Sequence, residues 1–210
     1  MSNKVRLSKE QFDDLKMDKQ FAEVLCLARV VNSMRFILLS GRSMGEGFVA
    51  HRDTTNSFFM AVGILHEGFR VVDRLGKYFS SNDKFREGFV KLRKSQKYKD
   101  LKDSVIGDVR NHISFHFFSD VIEDTLKELD SSECVLFSTD DNTWKTVHYD
   151  LADLTVINTM ISKKPVDENE SDYFSKIVSG TTSLCLDFVR AADELIADYF
   201  NQLNLKVEEM

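Results

Sequence analysis

Apolar residues recur at helical spacing along most of the chain, and this pattern predicts a mainly α-helical protein. From position 21 to 39, apolar side chains fall on nearly every face, which is typical of a central, buried helix. A seam at alternating steps of four and three follows, formed by Phe58, Val62, Leu65, Phe69, Val72 and Phe79. A second seam is formed by Phe174, Ile177, Thr181, Leu184, Phe188, Ala191, Leu195 and Tyr199. Together they predict an up-and-down helical bundle.

Local signals place the element boundaries and one exception to the helical pattern. Ser8 and Gln11 fit a capping box, in which each side chain bonds the other residue's backbone, so the first helix is expected to begin there. Between residues 133 and 149 the apolar pattern alternates around a polar centre, Asp140-Asp141-Asn142, which predicts a small β-hairpin. We therefore expect a single domain over 1–210, with the hairpin at 133–149 and C-terminal helices over 150–205.

Composition and charge indicate the size of the core, the state of the cysteines and the cellular compartment expected for this bundle. The chain has 210 residues, enough for one sizeable core, and a net charge of −6 at pH 7. The three cysteines, Cys26, Cys134 and Cys185, are far apart and in apolar surroundings, which predicts buried, reduced thiols. No signal-peptide pattern and no membrane-span pattern is present. These features predict a cytoplasmic protein without a membrane partner.

Charge is unevenly distributed, and one segment is strongly basic. Between Lys84 and Lys102 eight residues are basic and only Glu87 and Asp100 are acidic. The basic residues are Lys84, Arg86, Lys91, Arg93, Lys94, Lys97, Lys99 and Lys102. Such a run is either a solvated helix face or a surface that binds an anionic partner.

The basic segment leads into a short polar motif that contains Arg110, Asn111, His112 and His116. Two histidines four residues apart share one helix face, so a metal site is one hypothesis, with His66, Glu67 or acids near Asp120 as further ligands. In a second hypothesis, Arg110 makes a structural ion pair and both histidines belong to the core or an interface. We expect neither a resident metal ion nor another cofactor.

Arg110-Asn111 followed by His116 resembles the arginine, polar residue, spacer, histidine motif of the HEPN domain superfamily, over a four-helix unit at about residues 20–130. This resemblance implies a metal-independent endoribonuclease, typically dimeric, often a toxin or host-defence effector in bacteria. It implies that His116 acts as general base or acid, that Arg110 stabilises the transition-state charge and that Asn111 orients the phosphate or the histidine. The expected RNA-backbone contacts are Lys91, Arg93, Lys94 and Lys97.

Helix geometry bears on how such a motif would work. On an ideal helix, Arg110 and His116 lie about 9 Å apart along the axis and roughly 120° apart around it. One helix therefore does not bring them together easily, and a homodimer with facing motifs would resolve this difficulty. The alternative is a non-catalytic helical module for dimerisation or protein interaction, for example with a cognate antitoxin or another protein.

Overall fold

The computed structural model describes residues 4–5, 7–40, 48–107, 125–127, 149–162, 164–203 and 207–208. The first part of the chain contains β1 (Lys4–Val5), α1 (Lys9–Leu15), α2 (Lys19–Ser40) and α3 (Phe48–Phe79). Next come α4 (Asp83–Phe85), a π-helical turn (Arg86–Val90), α5 (Lys91–Lys94), α6 (Gln96–Leu101) and a second π-helical segment (Lys102–Gly107). The described C-terminal part contains α7 (Asp150–Ile161), α8 (Glu170–Gln202) and β2 (Val207–Glu208).

The described residues are mainly helical, as the apolar pattern predicts. Helix α3 begins ten residues before Phe58, the first residue of its predicted seam. Its seam residues from Phe58 to Phe79 are buried, and so is the α8 seam from Ile177 to Tyr199. Because α2 packs against both helices, the core lies between α2, α3, α8 and the segment from 83 to 107.

Phe188 of α8 lies at the centre of this core and joins three elements. Its ring centroid is 5.3 Å from those of both Phe69 in α3 and Phe89 in the π-helical turn. Gly68 allows this approach, since a Cβ built on it would lie 2.7 Å from Phe188 Cζ and 3.0 Å from Val30 Cγ1. α3 therefore lies close to α2 and α8 at Gly68, which has no side chain to hold them apart.

The ends of the chain confirm one local prediction and add an element that the pattern did not indicate. Ser8 N donates to Gln11 Oε1 over 3.0 Å and Gln11 N donates to Ser8 Oγ over 3.1 Å, which confirms the capping box. The two short strands pair antiparallel, with Lys4 opposite Glu208 and Val5 opposite Val207. The hairpin predicted at 133–149 is not among the described elements, because residues 133–148 lie outside the described ranges.

The cysteines differ from the prediction of uniformly buried thiols. Cys185 is buried, and this burial raises the pKa of its thiol to about 12. Cys26 is exposed, so the prediction is wrong for this residue, whose position on α2 faces solvent. Cys134 lies outside the described residues. In the part of the chain that the structure describes, no helix combines the length and apolarity needed to cross a membrane.

Candidate nucleic-acid interface

The basic segment forms one wall of a groove, and α8 forms the other. Asn82 caps the start of this wall, because its side-chain oxygen accepts from Phe85 N over 3.0 Å. The same amide donates to Asp198 on α8 over 2.8 Å, which fixes one end of the segment. At Gly88 the backbones approach closely, since a Cβ there would lie 2.9 Å from the Ala191 Cβ. The π-helical turn thus rests directly on α8.

Arg93, a predicted RNA contact, is held by residues of its own chain. Its guanidinium lies 2.7 Å from Asp73 Oδ1, and its Nη2 donates to the Phe69 carbonyl over 2.9 Å. Its Cζ also lies 5.3 Å from the centroid of the Phe69 ring, within range of a cation–π contact. These contacts hold the basic segment against α3 and give the Arg93 guanidinium an acidic partner in its own chain.

Lys97, also a predicted RNA contact, is committed to α8. Its Nζ donates to Asp187 Oδ2 and to Ser183 Oγ, each over 2.6 Å. Two further cations of the run are paired as well, Lys84 with Glu194 at 3.8 Å and Arg86 with Asp83. Half of the basic run therefore already has an acidic partner in the same chain.

The other half of the run is exposed and carries charge with no acidic partner in the described ranges: Lys91, Lys94, Lys99 and Lys102. Two of the four predicted RNA contacts, Lys91 and Lys94, thus remain accessible. Lys91 lines the groove, and so does Arg190 from α8. Arg190 could not be assigned to this surface from the sequence, because spacing along α8 places it on the exposed face without showing which segment it lies beside.

The groove has a volume of about 450 Å³ and contains charges of both signs. Its acidic residues are Glu87, Asp187 and Glu194. Asp187 is neutralised by Lys97 and Glu194 faces Lys84, so two cations remain against the single carboxylate of Glu87. A polar side chain, Ser95, lies on the same surface. This arrangement leaves Lys91 and Arg190 as the cations of the groove that could contact phosphates.

A second cavity of about 300 Å³ lies beside the α6 end of this wall. Leu101, Ile177 and Gly180 give it an apolar lining, and Lys97, Asp100, Tyr173 and Lys176 give it a polar one. Burial, followed by the nearby Glu168 carboxylate, raises the pKa of the Tyr173 hydroxyl. Lys176 pairs with Glu168 at 3.2 Å. Lys97 therefore lines this cavity and also pairs with Asp187 on the wall of the groove.

The residues of the predicted catalytic motif, Arg110, Asn111, His112 and His116, lie outside the described ranges. For the metal hypothesis, no group of three or more histidine, cysteine or acidic side chains within the described ranges could hold a metal ion. No protein-family model, no curated protein and no solved structure matches the chain. The catalytic assignment stays a prediction from sequence, and the described groove is the candidate site for RNA binding.

Proposed function

We propose that the protein is an HEPN-like homodimer that binds RNA along the groove between the basic segment and α8 and cleaves it without a metal ion. The observation that carries this proposal is that Lys91 and Arg190 line one groove from two elements, with no ion pair to either within the described residues. Phosphate contacts by lysine and arginine supply most of the sequence-independent affinity for nucleic acid. The bacterial defence or toxin–antitoxin setting rests on the motif resemblance alone.

The binding step assigns different roles to the four residues predicted from sequence. Lys91 and Lys94, which are exposed, contact the RNA backbone together with Arg190. Arg93 and Lys97 hold the wall in place through Asp73 and Asp187. Lys99 and Lys102 continue the accessible charge towards Arg110 along the chain. In this proposal the groove binds the RNA and the motif cleaves it.

The cleavage step is the one that the resemblance to the HEPN motif implies. His116 removes a proton from an RNA 2′-hydroxyl, whose oxygen attacks the adjacent phosphorus. The bond to the 5′ oxygen breaks, and that oxygen takes a proton, leaving a 2′,3′-cyclic phosphate and a 5′-hydroxyl. Arg110 stabilises the additional negative charge through paired hydrogen bonds, and Asn111 orients the phosphate. In a homodimer the second copy of the motif supplies the complementary proton transfer.

The binding proposal is tested by fluorescence anisotropy with a labelled single-stranded RNA. We expect the double variant Lys91→Gln/Arg190→Gln to bind at least tenfold more weakly and to reduce the slope of log affinity against log salt by roughly 1.4, for two phosphate contacts. The matched control is Lys19→Gln/Lys77→Gln, which removes two exposed cations outside the groove. Equal losses in the two variants would show that net charge, and not the groove, determines binding.

Cleavage is tested separately by gel analysis of the same RNA in EDTA. Wild type and His112→Ala should give products with a cyclic phosphate end, whereas Arg110→Ala and His116→Ala should not. Loss of cleavage in His112→Ala with retention in His116→Ala would transfer the proton-transfer role to His112. If the wild type binds the RNA but does not cleave it, the proposed nuclease activity is wrong and only the proposed RNA binding stands.

A non-catalytic interaction module is the second candidate. The observation that favours it is the internal use of Arg93 and Lys97, which leaves the groove with a mixed charge. In that case the groove binds a protein segment, such as a cognate antitoxin, and RNA affinity is absent. The anisotropy experiment separates the two, because the module predicts no saturable RNA binding by the wild type even at low salt.

A further inference from the structure

The cavity of about 300 Å³ between Leu101 of α6 and Ile177 of α8, here called the α6–α8 cavity, has an apolar floor and a polar mouth. Leu101 and Ile177 form the floor, and both side chains are buried. Tyr173 adds a half-buried aromatic side chain to the lining. Binding sites for small ligands commonly combine an apolar lining with a few polar groups, and this volume is at the lower end of their range.

The α6–α8 cavity and the RNA groove both lie between the basic segment and α8. Within the described residues the two share no lining residue. On α8, Ile177 of the cavity and Arg190 of the groove are separated by about 20 Å of helix. The ion pair between Lys97 and Asp187 lies between the two sites, since Lys97 lines the cavity and Asp187 lines the groove. A single strand whose phosphates lie in the groove is therefore within a few nucleotides of the cavity.

The polar groups of the cavity include both donors and acceptors, and their charges are largely balanced. Asp100 supplies carboxylate oxygens, whereas Lys97 and Lys176 supply ammonium donors. Lys97 is paired with Asp187. Lys176 is paired with Glu168, so an anionic ligand would meet no surplus of positive charge. A hydrocarbon ligand would remove these polar groups from water without offering them hydrogen bonds.

A nucleobase matches both the floor and the mouth of this cavity. It is planar with apolar faces, and its edge carries N–H donors together with oxygen and nitrogen acceptors. Unpaired bases stack on aromatic side chains in proteins that bind single strands, and Tyr173 is available for this in the lining. We propose that the α6–α8 cavity binds a single unpaired nucleobase, which in the proposed function belongs to the RNA strand lying along the groove. The RNA as source of the base rests on that function, and a free nucleotide carries the same base.

Gly180 offers a way to close the cavity by one substitution. A Cβ at this position would lie 3.5 Å from Leu101 Cδ1 and 3.8 Å from Leu101 Cδ2, which are ordinary contacts. The helix therefore accepts a side chain here, and leucine favours a helix interior more than glycine does. In Gly180→Leu the added side chain should occupy space beside Leu101 that the base would need.

The first experiment measures binding of a labelled single-stranded RNA by fluorescence anisotropy. We expect Gly180→Leu and Tyr173→Leu each to bind about tenfold more weakly, because the stacked base is lost. The slope of log affinity against log salt should stay unchanged, since no phosphate contact is removed. Gly76→Leu and Tyr78→Leu are the matched controls, because both residues lie on α3 and line neither the groove nor the cavity. Thermal melts by circular dichroism confirm that all variants fold.

Inorganic polyphosphate is the second probe, since it has phosphates and no base. It should bind the wild type and the two cavity variants equally, and more weakly to Lys91→Gln/Arg190→Gln. Loss of polyphosphate binding in Gly180→Leu would show that the substitution disturbs the groove, and it would overturn the assignment of a base to the cavity. Unchanged RNA affinity in both cavity variants, or equal losses in the two controls, would overturn it as well.

The position of the base is tested directly by photo-crosslinking with RNA that contains thiouridine, followed by peptide mass spectrometry. We expect crosslinks in the peptides that contain Leu101 or Tyr173, and their loss in Gly180→Leu. Crosslinks of the wild type that are confined to peptides outside the cavity would contradict the proposal.

Titration with nucleoside monophosphates, measured by calorimetry, separates this inference from the proposed function. If the wild type binds a nucleotide but no RNA, and Gly180→Leu abolishes that binding, the cavity is a site for free nucleotides and the proposed function is wrong. If RNA binding depends on Lys91 and Arg190 but not on Gly180 or Tyr173, the groove stands and the base site is wrong. Absence of binding with both probes would overturn both proposals.

Discussion

The Lys97 ammonium lies 2.6 Å from Asp187 Oδ2, joining two residues that are 90 positions apart in the chain. Both side chains are only partly covered, at 35% and 37% exposure, so water screens the pair. In a double-mutant cycle of Lys97→Ala and Asp187→Ala, urea unfolding should give a coupling energy of about 0.5–1 kcal/mol. A coupling indistinguishable from zero would show that the contact does not contribute to stability.

Gly88 should be required for the packing of the π-helical turn on α8. Its added Cβ in Gly88→Ala would lie 2.9 Å from the Ala191 Cβ and 3.4 Å from the Ala191 Cα, so the helices must move apart. We expect a loss of about 1–3 kcal/mol in the free energy of unfolding, measured by urea denaturation.

The control for that variant is Gly76→Ala on α3. The nearest atom to a Cβ there is Phe85 Cζ, at 3.7 Å, which is an ordinary contact. Because alanine favours a helix interior over glycine by about 1 kcal/mol, Gly76→Ala should be neutral or stabilising. If both variants lose the same stability, close approach at Gly88 is not the cause.

Arg93 should stabilise the fold and Lys94, its neighbour in sequence, should not. Arg93→Ala removes the Asp73 ion pair and the hydrogen bond to the Phe69 carbonyl, so we expect a loss of about 1–2 kcal/mol by chemical denaturation. Lys94 is exposed, and Lys94→Ala should stay within about 0.5 kcal/mol of the wild type. Equal stability of the two variants would mean that the Arg93 contacts do not stabilise the fold.

The cysteines should differ in reactivity because the thiolate is the nucleophile. The pKa of Cys185 is raised to about 12 by burial, so at pH 8 this thiol is protonated as well as inaccessible. In native protein, iodoacetamide should modify Cys26 within minutes and leave Cys185 unmodified until urea is added, as read by peptide mass spectrometry. Rapid native labelling of Cys185 would indicate that this part of α8 opens readily.

The helical seams could be predicted from sequence because burial follows the period of the helix. Val62, Leu65 and Phe69 are buried in α3, and Leu184 and Phe188 are buried in α8, at the positions that the spacing indicated. The capping box at Ser8 is equally local, since both partners lie three residues apart. These features depend on residues close together in the chain, and the sequence contains that information directly.

The candidate site was predicted only in part, because its contacts join residues that are far apart in the chain. The run from Lys84 to Lys102 identified a basic wall, and Lys91 and Lys94 are accessible on it. The partners of Arg93 and Lys97 are Asp73 and Asp187, which no local pattern connects with them. Arg190 joins the site from α8 through packing alone. The spacing of apolar residues shows which face of a helix is buried, but it does not show which other helix packs against that face.

The sequence by itself determined the helical class, the two buried seams, the first helix start and the location of surplus positive charge. The tertiary structure decided which of those charges are neutralised, where the groove lies and that Cys26 is exposed. Helix formation and amphipathicity depend on neighbours within a few residues. Charge pairing and the exposure of one helix face depend on which distant helix packs alongside, and only the assembled core fixes that.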